Sequence, residues 1–181
     1  MPKLTINLNE VIRQESDADK RRAFTRASRS EAVKLEFGSR VMDEIVRRTQ
    51  EDNVDKAGRK FRKYSKAYIN STNFKIAGKE AGKVDLTLSG DMLGTMQVLG
   101  TAGPAVTIGW NIAVEDEKAG YHVEGTGKMP KRDFFGMPKG EQYKILKSVL
   151  RDLPTETIPA GEIQTAVNES IIVESPTGGE P

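Results

Sequence analysis

Hydrophobic and polar positions change period several times along the chain, and each change marks a predicted element. Leu4, Ile6 and Leu8 alternate with Thr5 and Asn7, the pattern of a short strand. From Ser16 the period becomes helical: Ser16-Asp17-Ala18-Asp19 offers an N-cap and acids for a first turn, and no proline occurs from Lys20 to Glu51. Val33, Phe37, Val41 and Ile45 recur at four-residue spacing with Met42 and Val46 beside them, which predicts one buried face. Asp43, Glu44, Arg47 and Arg48 fall opposite and are expected to be solvated. Gly38 either divides the run into two helices or admits a close backbone contact.

Asp52 to Gly58 is a turn-forming cluster, followed by a basic run, Lys56–Lys66, carrying Phe61, Tyr64 and, just beyond it, Tyr68. These rings stand three and four residues apart, as on one helical face. The preferred reading is that they cap the core under lysine stems, although such a run can also stack bases or dock a protein neighbour. A loop is predicted from Ser71 to Gly82, a strand over Val84, Leu86 and Leu88, and a turn at Ser89–Asp91. Met92 to Leu99 mixes both periods and fits a short helix or a strand. After a turn at Gly100–Pro104, Ala105 to Trp110 predicts a strand that runs on towards Val114. Trp110 is expected to anchor the core or an interface.

Ala119 to Pro138 holds the single histidine among five helix-breaking residues: Gly125, Gly127, Pro130, Gly136 and Pro138. A helical end or turn around Glu117–Tyr121 is predicted to enter a glycine loop at Glu124–Met129. Lys131 to Phe135 then has the length of one small strand. The helical period returns from Lys139 to Leu153, with Ile145, Leu146, Val149, Leu150 and Leu153 inward, until Pro154 ends it. The pattern as a whole predicts an α+β fold: N-terminal helices packed on a small antiparallel sheet, a further C-terminal amphipathic helix, and an extended C-terminal arm. One domain is expected over residues 1–154. Residues 155–181 are too few for a core of their own and form a flexible or extended arm, whose β-prone Ile171-Ile172-Val173 could add a strand to a neighbouring sheet.

Composition narrows the chemistry. Of 181 residues, 36% are hydrophobic and 30% charged, and the net charge is only +2, smaller than is usual for a dedicated nucleic-acid binder. With no cysteine and one histidine, a thiol nucleophile is impossible and a zinc site is not expected. No cofactor site is expected either: Gly127-Lys128 lacks the spacing of a phosphate loop, and GTAGPAVTIG lacks the context of a dinucleotide site. His122 with Glu124 or Asp116 is the one available acid–base pair, and His122 reads more simply as a hydrogen-bonding group beside a turn. Glu115-Asp116-Glu117 reads as helix N-terminal charge or a solvated patch rather than a cation site. No signal peptide or apolar span is present in this sequence, and no membrane association is expected.

Several short motifs, in order, carry a resemblance. They are Arg48-Thr49 at a helix end; Asp55, Gly58, Phe61, Tyr64, Ser65 and Tyr68; then Leu86, Ser89 and Gly90; then Val106, Ile108 and Gly109. The last is a His-x-x-Gly turn, His122 and Gly125, leading to Pro130, Arg132, Phe134, Phe135 and Gly136. From about Val41 to Leu153 the chain thus resembles the phage virion-morphogenesis and tail-completion proteins, while its N-terminal strand and C-terminal arm have no counterpart in that pattern. The resemblance implies a non-enzymatic virion component at the neck, a tail-completion, tail-terminator or head–tail joining subunit. It further implies a homo-oligomeric ring, hexamer or dodecamer, made in the host cytoplasm and meeting other neck, connector or tail-tube proteins, with passing contact with DNA in the channel. Phe134 and Phe135 are expected to lock the loop onto the core, and Arg132 to make a fixed ion pair or contact a neighbour. The alternative is a nucleic-acid-binding protein using Lys20–Arg29 and Lys56–Lys66.

Overall fold

In the computed structural model, residues 2–87, 89–127 and 129–153 are described, and the fold over them is α+β. The chain begins with strand β1 (Leu4–Asn7) and turns directly into helix α1 (Leu8–Ile12). Leu8 therefore belongs to a helix rather than to the predicted strand: the Asn7 side chain accepts from the Asn9 amide at 3.0 Å and caps the new helix before the alternation can continue. Asp17 caps α2 (Ala18–Ala27) by accepting from Asp19 and Lys20 amides, both at 2.9 Å. The long helical run then breaks at Ser28–Ser30, not at Gly38, because Ser30 takes an extended conformation and starts α3 (Glu31–Arg47). A single π turn (Arg48–Asp52) continues α3 and ends at Asn53, whose φ of 55° reverses the chain.

Gly38 instead permits the close contact. A Cβ built there would lie 2.5 Å from Val98 Cγ2 and 3.1 Å from Val106 Cγ1, so α3 rests directly on the sheet. That sheet has order β1–β3–β2, with β2 (Gln97–Ala102) and β3 (Ala105–Gly109) forming a hairpin around Gly103-Pro104 and β1 antiparallel to β3 on its other side. Leu4 faces Ile108 and Ile6 faces Val106 across β1 and β3, while a bulge between Val98 and Gly100 shifts the other register. Val33, Phe37, Val41 and Ile45 have no exposed surface, and they meet fully buried Val106 and Ile108 from the sheet. Each such side chain contributes about 1.5–3 kcal/mol by leaving water.

Helix α8 (Lys139–Asp152) closes the other side, burying Leu146, Val149 and Leu150 against α3 and α1. Polar clasps fix its angle: Arg40 of α3 donates to Ser148 Oγ at 3.1 Å and to Asp152 at 2.7 Å, and the Tyr143 hydroxyl donates to Glu15. These partners lie across the helix–helix seam, so they constrain direction where apolar packing alone does not.

Further expectations are refined or corrected. The residues from Phe61 to Ser65 form no regular element, and only Lys66–Ile69 is a helix, α4, capped by Ser65. The predicted loop after Ser71 contains α5 (Thr72–Ile76), because the Ser71 hydroxyl caps it through the Phe74 amide. Val84 and Leu86 are both buried and belong to no strand; Leu86 has a φ of 56°, outside the β region, and Leu88 lies outside the described residues. Met92 to Leu99 divides between α6 (Asp91–Gly94) and β2. Strand β3 ends at Gly109 instead of continuing to Val114, since Ile112 becomes the N-cap of α7 (Ala113–Glu124). The predicted C-terminal arm, including Ile171, Ile172 and Val173, lies outside the described residues.

Replacing Gly38 by leucine weighs two effects. A better helix former is worth up to about 1 kcal/mol, while driving a branched side chain into Val98 and Val106 costs about 1–3 kcal/mol or more. Gly38→Leu is therefore expected to lower stability by about 1–2 kcal/mol in urea unfolding. A variant as stable as the parent would mean that α3 does not rest on β2 as described.

Candidate functional site

The site is built around the loop between α7 and α8. Helix α7 runs three residues beyond the predicted end at Tyr121 and stops at Gly125, so His122 is a helical residue rather than part of a glycine turn. Gly125 has a φ of 74°, and a Cβ there would stand 2.9 Å from the Lys131 nitrogen. Glycine is required on both counts. The loop then doubles back through a bridge between Thr126 and Met129, and Gly127 turns it with a φ of 52°. Pro130 follows and leads into Arg132, whose amide donates to the His122 carbonyl at 2.7 Å.

Lys131 to Phe135 is not the predicted strand. Its backbone groups bond to separate partners: the Phe134 amide to the Arg132 carbonyl at 2.8 Å, and the Lys56 amide to the Asp133 carbonyl at 3.0 Å. Phe134 has no exposed surface and Phe135 only 7%; their rings lie 6.4 Å and 4.8 Å from that of Trp110. Trp110 is itself buried and donates to the Met92 carbonyl at 2.5 Å. Beneath them lies Arg48, 4% exposed, which donates to the Phe134 carbonyl at 2.9 Å and the Gly136 carbonyl at 2.8 Å. Arg48 is thus a buried clasp and not part of the solvated face expected for it. Burial lowers its pKa, partly offset by Glu141, 3.8 Å away at the start of α8. Gln142 completes the loop's exit by donating to the Met137 carbonyl at 2.7 Å. Gly136 leaves no room for a Cβ, which would meet Lys56 Cδ at 2.9 Å.

On the opposite side of this loop is a cleft of about 540 Å³, lined by Tyr64, Tyr68, Lys79, His122 and Arg132 among others. Tyr64, Tyr68 and Phe74 form a ring trio with centroids 5.1 to 5.6 Å apart. Lys79 and Arg132 both stand 5.4 Å from the Tyr64 centroid, so the ring faces two cations. Lys79 is committed to Asp85 and the Thr87 carbonyl, and Lys118 to Glu115 at 2.7 Å. Arg132 differs. It is 4% exposed, its guanidinium makes among the described residues a single long hydrogen bond of 3.4 Å to the Arg62 carbonyl, its Nε has no partner, and it has no carboxylate partner there. The fixed ion pair expected of Arg132 is therefore not made there.

Electrostatically the cleft favours negative charge. Burial lowers the Arg132 pKa. His122 is brought down to about 4, chiefly by burial and further by the charges of Arg132 and Lys79, and its Nδ1 is buried without a partner. Burial pushes the Tyr64 hydroxyl up to about 12, with the Asp85 carboxylate reinforcing it. A neutral imidazole, a protonated phenol and a guanidinium with spare donors can together hold an anionic group.

The structure joins some of the residues that the sequence singled out and separates others. Tyr64, Tyr68, His122, Pro130 and Arg132 share the cleft, whereas Phe61 turns into the core and Phe134, Phe135 and Trp110 pack behind the loop. Lys79, Lys118 and Met92 were not anticipated there; each comes from a different segment and follows no local motif. The basic residues of Lys56–Lys66 are exposed and partly paired, Lys56 with Asp133 and Arg59 with Asp55. Arg21, Arg22, Arg26 and Arg29 line a separate shallow recess on and just beyond α2. Among the described residues there is no group of acids and histidine able to hold a metal, and no helix is long and apolar enough to cross a membrane. Comparison with protein-family models, curated proteins and solved structures gave no match.

The two buried arginines should respond oppositely to loss of charge. Arg48→Met strands two buried carbonyls, at about 1–3 kcal/mol each, and is expected to lower stability by about 3 kcal/mol. Arg132→Met removes a desolvated charge with little compensation, so its stability is expected to equal or exceed that of the parent. Denaturant unfolding followed by Trp110 fluorescence decides both, and a large loss in Arg132→Met would contradict the account of that side chain.

The depressed His122 pKa has a definite sign. As pH falls from about 6.5, the unfolded chain takes up a proton that folded His122 refuses until pH is near 4, so stability drops across that window. At about 1.4 kcal/mol per pKa unit, the loss is roughly 3 kcal/mol. His122→Gln should remove that part of the acid slope. Proton NMR of the single imidazole should give a midpoint near 4, and a midpoint above 6 would contradict the buried cationic setting.

Proposed function

We propose that the protein is a non-catalytic structural subunit of a tailed phage virion, acting at the neck as a tail-completion, tail-terminator or head–tail joining component that assembles into a ring. The observation that carries this reading is the direct joining of two stretches of the resemblance. Arg48, from the Arg-Thr helix end, holds the carbonyls of Phe134 and Gly136 some 86 and 88 residues later. Motifs scattered in sequence thus act as one structural unit, which chance matches to a pattern need not do.

Ring building requires one surface of a copy to meet a different surface of the next. The fold supplies unlike surfaces for this purpose. Ile112, Val114 and Tyr121 at and along α7 are 45%, 57% and 40% exposed, a set of apolar side chains outside the core. Strands β1 and β2 are the edges of the sheet, with β3 between them. The nucleic-acid alternative draws on the α2 recess, but several of its cations serve local contacts: Arg21 donates to the Glu15 and Ser16 carbonyls, and Arg22 pairs with Asp19.

Light scattering of the purified full chain, alone and with a tail-tube or connector protein, tests the proposal. The expected result is a ring-sized species, either at once or on adding the partner. A monomer indifferent to such partners that binds duplex DNA at physiological salt would overturn it in favour of the nucleic-acid reading.

A further inference from the structure

The cleft beside Tyr64 contains a buried guanidinium without a carboxylate, and the same chain carries carboxylates with no basic residue near them in sequence. Residues 154–181 contain Glu156, Glu162, Glu169, Glu174 and Glu180 and no lysine or arginine. Removing those five acids from the chain's 26 leaves 21 against 28 lysines and arginines in the remainder. The charge separation is therefore strong although the whole chain is nearly balanced.

We infer that the cleft lined by Tyr64, Tyr68, Lys79, His122 and Arg132 is the seat of the acidic segment 155–181 of this protein. Arg132 supplies the charge that specifies it: a mostly unused fork of donors, 4% exposed, held over the Tyr64 ring and aimed into the cleft. A carboxylate there would meet Nε, which has no partner, and the neutral imidazole of His122 can join it by donating from Nδ1 in the tautomer that carries its proton there. Leu86, Met92, Met129 and Pro130 give the lining an apolar part beside the polar Ser65, Thr87, Ser89 and Lys118. Ile171-Ile172-Val173, bracketed by Glu169 and Glu174, offers apolar side chains with carboxylates on either side.

Size and reach agree. A cleft of about 540 Å³ accepts a few side chains and not a duplex. The 28 residues from Pro154 to Pro181 can span up to roughly 90 Å when extended, whereas a body of this length has a radius of gyration of roughly 15 Å. The segment can therefore reach the cleft of its own copy or of a neighbour.

The inference does not depend on the neck reading, and its test keeps the two apart. Full-length protein is treated with a water-soluble carbodiimide, which couples touching lysines and carboxylates, and the linked peptides are identified by mass spectrometry. The resident pair Lys118–Glu115, at 2.7 Å, serves as the internal control. Links from Lys118 or Lys79 to Glu169 or Glu174 are expected, reduced at least tenfold in Arg132→Met and abolished in Glu169→Gln/Glu174→Gln with the control link retained. Mixing isotope-labelled and unlabelled copies distinguishes a segment seated in its own chain from one supplied by another; both outcomes support the seat, and only the second bears on ring assembly. Links confined to the α2 arginine helix or the Lys56–Lys66 run, links unchanged in Arg132→Met, or protection of the cleft lysines only on adding duplex DNA would each overturn the inference.

Discussion

The contact on which the rest depends is the clasp between the Arg48 guanidinium and the carbonyls of Phe134 and Gly136. Among the described residues, it fixes the long irregular segment between α7 and α8 against the end of the longest helix, α3. Without it, the Phe-Phe pair could still seek the core, but the loop backbone would have unpaired carbonyls in a dry environment. With it, two large rings are held against Trp110 on one side while Arg132, two residues earlier, is directed to the other. The clasp therefore sets the position of the cleft although Arg48 lines no part of it. Two rigid elements meet at this point, the π turn that follows α3 and the N-terminal turn of α8, which explains why a charged side chain is retained in a place where an apolar one would need less desolvation.

Arg48 and Arg132 are equally buried, and the difference between them separates structure from candidate function. Arg48 satisfies two carbonyls through one nitrogen and lies within reach of Glu141, although its Nε and Nη1 are without hydrogen-bond partners. Arg132 gains a ring face and one long hydrogen bond. A guanidinium that stays dry with so few partners has been kept at some cost to stability, which is the pattern expected where binding rather than folding determines the residue. The neighbouring groups are arranged consistently with this. His122 stays neutral near two cations, and Asp85 neutralises Lys79 and not Arg132, so the uncompensated charge is concentrated on one group.

The fold was legible wherever neighbouring residues decide the outcome. Val33, Phe37, Val41 and Ile45 repeat at helical spacing and are fully buried, and Asp17 caps as its position suggests. Lys139 to Asp152 also follows its pattern. The periodicity that succeeds for Ile45 fails for Arg48, three residues later, because its partners are carbonyls some 86 residues away. Spacing likewise misled at Phe61, Tyr64 and Tyr68. Their three- and four-residue steps fit a helix, but the Ser65 cap starts one only at Lys66, and Phe61 is drawn separately into the core. The loop composition correctly marked Gly125 as a breaker yet gave no account of how far α7 runs before it. The cleft was the least legible part. Lys79, Met92, Lys118 and Arg132 converge from four separate segments, and no local pattern encodes that convergence.

An assembly built from this chain gains from having the cleft and the acidic segment as different surfaces. A self-complementary patch leads to a closed pair, whereas a donor segment and an acceptor cleft on each copy allow every subunit to give and receive, and such contacts close into a ring when the rotation permits. The tether limits this scheme. Any segment joined covalently to its cleft competes at the effective concentration its tether sets, in the millimolar range for short tethers, so capture by a neighbour must overcome self-occupancy. A modest contact, one guanidinium and a few apolar side chains, suits that competition better than a tight one. On the proposed ring reading, it would let the segment leave its own cleft once adjacent copies were held together by other surfaces, such as the exposed apolar residues Ile112, Val114 and Tyr121. On this logic, and on the proposed ring reading, a small and incompletely satisfied cleft would suit a subunit that remains single until its neighbours are in place.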